Sequence, residues 1–297
     1  MTVLSKLRYG GTESRPTGEV EQDLLTSDLR SVFGTDLAGL TPVPGGTLGV
    51  GFKANLNGQA RFFKTHALPS GRLTLKREAE FLKVTALAQM DPQLVHRVQS
   101  SSERTWLHTR LLSPCASPSP PSVRALIAEY EAQLRKHPEL AGVVPASDSI
   151  HELLARATPA LDFLAGANLL SPLVTDTARA ALDRLQGISA DLSLQLCHGD
   201  LGPANIMSDG GSLVALDWED AFWGIAGYDY LYWLTFFQNR KWLSKAALGH
   251  TPLEPSQEIA LMALILLLKS WMSVRNGSHL CNTLTIEQRL LEVFNLD

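Results

Sequence analysis

The sequence predicts an α+β protein of two lobes, a small antiparallel-sheet lobe with one helix followed by a larger, mainly helical lobe. Three observations carry this. Asn57-Gly58, a two-residue hairpin signal of the primed-turn type, joins two extended segments between Val43 and His66. A Pro/Ser-rich stretch, SPCASPSPPS at 113–122, interrupts the periodic pattern. Beyond it, apolar residues recur at helical spacing. Of the 297 residues 45% are hydrophobic and 19% charged, which excludes disorder and coiled coil and fits one large domain or two lobes.

Residues 1–40 read as a helical leader on the β-rich lobe. Residues 41–112 form that lobe. VPGGTLGVGFKANLNGQARFFKTH supplies its first strands, and from Arg72 to Met90 the residues Leu75, Ala79, Leu82 and Ala86 fall at helical spacing among good helix formers. TWLHTRLL (105–112) is a short extended run. The stretch 113–122 reads as too stiff and polar for helix or strand, so a lobe boundary falls there and residues 113–297 form the second lobe. Val123 to Lys136, Ser149 to Leu164 and Leu173 to Leu185 read as amphipathic helices. A last helix, opened by Pro255 and Ser256 and closed by Asn276-Gly277, is apolar nearly all round and is expected in the core.

The longest unbroken apolar run, Ile259 to Leu268, has ten residues against the roughly 18 needed to cross a bilayer, and the start MTVLSKLRYGG lacks a signal peptide's apolar core. A soluble, cytoplasmic protein without a membrane span is expected. Cys115, Cys197 and Cys281 are far apart and read as buried small hydrophobes, with neither a disulfide framework nor a zinc site. A net charge of −4 argues against a nucleic-acid partner. That total hides an asymmetry. Residues 1–140 carry 17 basic and 13 acidic side chains, net +4, and residues 141–297 carry 9 and 17, net −8.

The most informative segment is LQLCHGDLGPANIMSDGGSLVALDWEDA, 194–221. It reads as a strand, a loop, a hairpin turning at Asp209-Gly210-Gly211, and a strand delivering Asp217 at its end, so that Asp200, Asn205 and Asp217 converge. His198, Asp200 and Asn205 have the spacing H-x-D-x-x-x-x-N of a phosphoryl-transfer catalytic loop. There the Asp receives or orients the acceptor hydroxyl and the Asn binds magnesium, with Asp217 as the charged metal ligand. Hard oxygen ligands suit magnesium, and a γ-phosphoryl group in transfer needs charge neutralisation and in-line positioning more than covalent help. Such a site requires further parts upstream. Gly45, Gly46 and Thr47 lie in a Gly-rich run between the first strands, where backbone N–H groups can approach phosphates. Lys64, at the end of a strand, is placed for the α/β-phosphates of ATP, with Glu78 as its partner on the next helix and Glu80 as the competitor. TWLHTRLL then sits where a hinge to adenine should run, its backbone at Thr109 and Leu111 free to bond the base.

These residues resemble the aminoglycoside phosphotransferase and choline kinase-like superfamily over roughly residues 41–275, with HGDLGPANIM and ALDWEDA as the specific part. The resemblance implies a protein-kinase-like fold and an ATP- and magnesium-dependent transfer to a hydroxyl of a small molecule, with Asp200 as catalytic base or orienter. It also implies that Asp229, in GIAGYDYLYW, braces the catalytic loop and that His198 is structural. The Gly-rich run departs from the family in lacking a Ser-Asn or Thr-Asn pair after its first glycines. The charge of −8 fits an aminoglycoside, choline or other amine-bearing alcohol. Glu219 and Asp220 are candidates for acceptor contacts. Trp218, Trp223, Tyr228, Tyr232, Trp233 and Trp271 could offer faces to a cation, though large aromatics at helical spacing usually pack in the core. Two alternatives stand beside this reading, a nucleotide-binding pseudokinase acting as an interaction module and a kinase of a protein or cell-envelope glycan.

Overall fold

The Asn57-Gly58 turn forms as its sequence requires. Both residues take positive φ, 52° and 77°, the conformation of a primed hairpin turn, which an Asn-Gly pair tolerates. It joins β2 (Gly49–Leu56) to β3 (Gln59–His66) in a continuous antiparallel register from Gly49 opposite His66 to Leu56 opposite Gln59. The computed structural model describes residues 19–43, 49–66, 71–86, 90–99, 102–115, 117–189 and 191–296. Gly45, Gly46 and Thr47 and the first 18 residues of the leader lie outside them.

The described residues divide into two compact units, the first holding 19–114 and 207–219, the second 115–206 and 220–296. These units are not the contiguous stretches, 41–112 and 113–297, expected from sequence. The hairpin that delivers Asp217 instead packs with the first unit.

The first unit begins with α1 (Glu19–Phe33), followed by β1 (Leu37–Val43), so the strand starts inside the expected leader. Nor is α1 an appendage. Leu25 and Leu29 are buried in one cluster with Phe52, Phe63 and Trp106, and the Trp106 indole N–H donates to Asp28 at 2.7 Å. After α2 (Gly71–Thr85) come β4 (Gln93–Gln99) and β5 (Ser102–Arg110), closing a five-stranded sheet in the order β1-β2-β3-β5-β4. β6 (Ser113–Pro114) pairs with β8 (Ile206–Asp209), and β8 with β9 (Ser212–Ala215).

Two parts of the 113–122 expectation change. Ser113 and Pro114 form a strand, and α3 (Pro120–Lys136) already starts at Pro120, because Ser119 caps it and a proline in the first turn lacks only an N–H that would have no helical partner. In the second unit α3 is followed by α4 (Ile150–Gly166), α5 (Pro172–Ile188), β7 (Leu194–Cys197), β10 (Phe222–Ile225), α6 (Tyr228–Leu234), α7 (Pro255–Arg275) and α8 (Ile286–Phe294). β7 and β10 pair antiparallel.

α7 has 21 residues and a window of mean hydropathy 1.5, long and apolar enough to cross a membrane by those two measures, although its unbroken apolar run is only ten residues. Its packing is that of a core helix. It lies against α4, α5 and α8, and its Glu258, fully buried, accepts the Gly249 N–H at 2.7 Å and the Thr251 hydroxyl at 2.6 Å. The cysteines are all free thiols, but only Cys197 is buried. Cys115 is half-buried and Cys281 exposed, since neither is on a core-facing element.

Candidate active site

Strand β3 alternates, sending Phe63 into the apolar cluster and Lys64 to the opposite face. On α2 the buried positions 75, 78, 79 and 82 form one helical stripe, and Glu78 rides on it into the interior. The two side chains meet there, with Lys64 Nζ donating to Glu78 at 2.8 Å. Glu80 points elsewhere and pairs with Lys83 at 3.0 Å, 35% exposed. The same ammonium donates to Asp217 at 2.5 Å and lies 3.6 Å from Glu219.

Asp217 follows β9 by two residues and has φ 69°, a left-handed conformation that aspartate tolerates better than most side chains. Trp218 next to it is fully buried and stacks on Phe81 of α2, centroids 5.0 Å apart and planes 12° apart. Arg77 donates to the Glu219 carbonyl at 3.2 Å. The segment after β9 is thus bound to the helix that carries Glu78.

Glu219, read as an acceptor contact, is therefore placed differently. It is buried in the Lys64 cluster, its carboxylate 2.9 Å from the His66 imidazole, because the tight turn after Asp217 directs it inward. Three carboxylates, Glu78, Asp217 and Glu219, have oxygens within 4.8 Å of one another around one ammonium. Burial pushes the Glu78 carboxyl up to about 7, and the neighbouring Asp217 and Glu219 charges add to that against the pull of Lys64. Glu219 behaves oppositely. Burial alone would raise it, but Lys64 and the His66 imidazole beside it together hold it near 2. The difference follows from its two partners against one for Glu78. Lys64 is held well above its usual range, since the three carboxylates outweigh the effect of burial. A hard-oxygen set with this surplus of negative charge fits a divalent cation.

Thr109 and Leu111 require a correction. Thr109 lies inside β5 opposite Phe62, and the Leu111 N–H donates to the Ala60 carbonyl at 3.1 Å. The run 105–110 is an interior strand whose ladders to β3 and β4 use its backbone groups, so the backbone is not free as expected.

The second unit holds Asp200 and Asn205. His198, fully buried, leaves β7, and its backbone N–H and that of Gly199 donate to the two oxygens of Asp229 at 2.8 and 3.0 Å. Tyr130 donates to the same carboxylate at 2.7 Å. The Asp200 N–H donates to His198 Nδ1 at 3.2 Å, so the imidazole serves as a backbone acceptor. Gly199 has φ 84°, and a Cβ there would lie 2.2 Å from the Asp220 carbonyl oxygen, which is why glycine stands between the His and the Asp. Asn205 closes the loop, its amide donating to the Asp200 carbonyl at 2.8 Å. The Tyr232 hydroxyl donates to the Asp200 carboxylate at 2.7 Å, a contact between residues 32 apart that nothing in the sequence pattern announced. Trp218, Tyr228, Tyr232 and Trp233 are buried, while Trp223 and Trp271 are half-buried.

The profile of the phosphotransferase enzyme family matches residues 39–249. Among solved structures the chain is similar to a thermostable mutant of aminoglycoside phosphotransferase APH(4)-Ia in ternary complex with ADP and hygromycin B, at 15% identity, covering 91% of this chain and 96% of that one, TM-score 0.60. Spectinomycin phosphotransferase APH(9)-Ia with ADP and spectinomycin is similar at 10% identity, 95% and 99% coverage, TM-score 0.61. A choline/ethanolamine kinase family protein from Mesorhizobium loti follows at 17% identity, 92% and 94% coverage, TM-score 0.54. At these identities the likeness establishes the fold. No curated protein matches the chain.

Proposed function

Because the chain belongs to the phosphotransferase enzyme family, and so is a kinase-type phosphotransferase of small molecules with an alcohol group as acceptor, we propose that it moves the γ-phosphoryl group of magnesium-ATP to a hydroxyl, with Asp200 as catalytic base or orienter. The observation that carries this reading is the Lys64 ammonium held between Glu78 at 2.8 Å and Asp217 at 2.5 Å. Lys64 takes the α/β-phosphates, and Glu78 fixes it on the helix side. Asp217 and Asn205 are the magnesium ligands. When bound, the ion neutralises charge on the nucleotide phosphates. Gly45, Gly46 and Thr47 complete the phosphate cradle.

Functionally, residues 41–112 form the nucleotide side, 113–297 carry the catalytic loop and acceptor side, and 1–40 lead into the first. The reading makes the protein a cytoplasmic enzyme, where its nucleotide is supplied, and makes amine-bearing alcohols its preferred acceptors, supported by the −8 charge of residues 141–297.

ATP consumption with magnesium, screened over amino alcohols, sugars and aminoglycosides, tests it. Asp200→Ala should abolish transfer and leave nucleotide affinity nearly unchanged. Turnover near wild type in that variant would remove Asp200 from the chemistry. For the best amine-bearing acceptor KM should rise with salt, because exposed charge is screened beyond about 8 Å at physiological ionic strength. A best acceptor carrying a carboxylate and no amine, with KM insensitive to salt, would overturn the acceptor class.

A further inference from the structure

We infer that Tyr232 is a positioning residue that fixes the carboxylate of Asp200, an inference that rests on the reading of Asp200 given above. Rotation about the last bond of an aspartate side chain is soft, so a carboxylate on a loop does not hold one orientation unless donors impose it. Here two elements supply donors. From α6 the Tyr232 hydroxyl donates to Oδ1 at 2.7 Å, and from the loop the Asn205 amide, already on the Asp200 carbonyl, lies 3.4 Å from Oδ2.

The phenol is itself held. Tyr232 is buried, stacks on Tyr228 with centroids 5.7 Å apart and meets Phe236 edge-on at 5.5 Å. Lys269 of α7 sets its ammonium 3.5 Å above the Tyr232 ring and 3.7 Å above Phe236, and donates to Thr235 at 2.9 Å. Burial, then the charge of Asp200, with Tyr228 and Asp220 beyond, keeps the hydroxyl protonated far above its usual range, so it remains a donor throughout the working pH. A neutral donor suits this place. It orients the carboxylate without the full charge that a lysine or arginine would set against its taking up a proton from the acceptor hydroxyl.

Phenylalanine at 232 keeps every ring contact and removes only the hydroxyl, so a residue that merely packed would not register the change. In the full chain, Tyr232→Phe should melt within a few degrees of wild type. MgATP turnover, with water or the best acceptor of the screen, should fall about 10- to 100-fold with nucleotide KM within about twofold, the size expected for one hydrogen bond to a charged group. A second readout is independent of turnover. At a fixed pH the carboxyl carbon-13 resonance of Asp200, identified by its absence in Asp200→Asn, should shift in Tyr232→Phe, since the donor on Oδ1 is lost. An unmoved resonance, or a nucleotide KM that rises as much as kcat falls, overturns the inference. If Asp200→Asn turns over like wild type, the reading of Asp200 is what fails, and the resonance still decides whether Tyr232 holds the carboxylate.

Discussion

Replacing Glu78 by glutamine should separate what Glu78 does for activity from what it does for stability, and the two should move in opposite directions. Three carboxylates face the Lys64 ammonium, and the Glu78 carboxyl sits at about 7 instead of its ordinary 4.5, chiefly through burial. Its folded-state value is therefore raised above that of the unfolded chain. Between pH 4.5 and 7 the folded protein holds a proton that the unfolded chain has lost, so stability falls as pH rises through that window. At about 1.36 kcal/mol per unit, the loss reaches about 3 kcal/mol by pH 8. Glutamine is isosteric with the protonated form and cannot ionise. Its unfolding free energy should lack this decline, and the variant should overtake wild type by up to that amount in nucleotide- and metal-free buffer. His66, on Glu219 in the same cluster, is common to both proteins and cancels in the difference.

Activity should go the other way. The glutamine oxygen can accept from Lys64 but brings no charge to the 2.8 Å pair, so turnover should fall roughly 10- to 100-fold. Glu80→Gln is the control. Its contact with Lys83 is exposed on both sides, 52% and 35%, and such pairs contribute about 0–1 kcal/mol, so neither stability nor turnover should change measurably. Denaturant unfolding of the three proteins from pH 5 to 8, with turnover at pH 7.5, decides it. Parallel pH profiles for wild type and Glu78→Gln, or a larger loss of turnover at Glu80, would refute the reasoning.

Asp217→Asn keeps a neutral oxygen but loses the charged ligand proposed for magnesium, so the strengthening of nucleotide binding by the ion should drop at least about tenfold when a fluorescent ATP analogue is titrated with and without it. A magnesium dependence equal to wild type would remove Asp217 from the metal. Gly199→Ala forces a Cβ to 2.2 Å from the Asp220 carbonyl at φ 84°, and should lower stability by about 2–4 kcal/mol in thermal or denaturant unfolding while displacing the loop that carries Asp200. Wild-type stability there would contradict the loop conformation.

What the sequence made legible and what it hid divide along physical lines. Asn57-Gly58 could be read because the turn is local and few residue pairs tolerate its backbone. Glu78 could be preferred over Glu80 because a helix period places only one of them beside Leu75, Ala79 and Leu82. His198, Asp200 and Asn205 lie within eight residues, and that spacing is a chemical signature. The leader helix was harder. Leu24, Leu25 and Leu29 look alike in sequence, yet Leu24 is 65% exposed while the other two are buried against Phe52, Phe63 and Trp106, distant residues whose position no local pattern encodes. Tyr232 packs in the core, as large aromatics at helical spacing usually do, but its hydroxyl faces Asp200 across 32 residues of chain.

The charge of −8 shows how a count can mislead by omitting geometry. Glu258 is spent on the Gly249 and Thr251 backbone, Asp229 on His198 and Gly199, Glu292 pairs with Arg240, and Glu219 sits with Lys64. A carboxylate already holding N–H groups or a cation attracts no acceptor. The proposed preference for amines then depends on acidic groups of residues 141–297 that face solvent, and the salt dependence of KM separates these from the buried ones, since screening reaches only exposed charge.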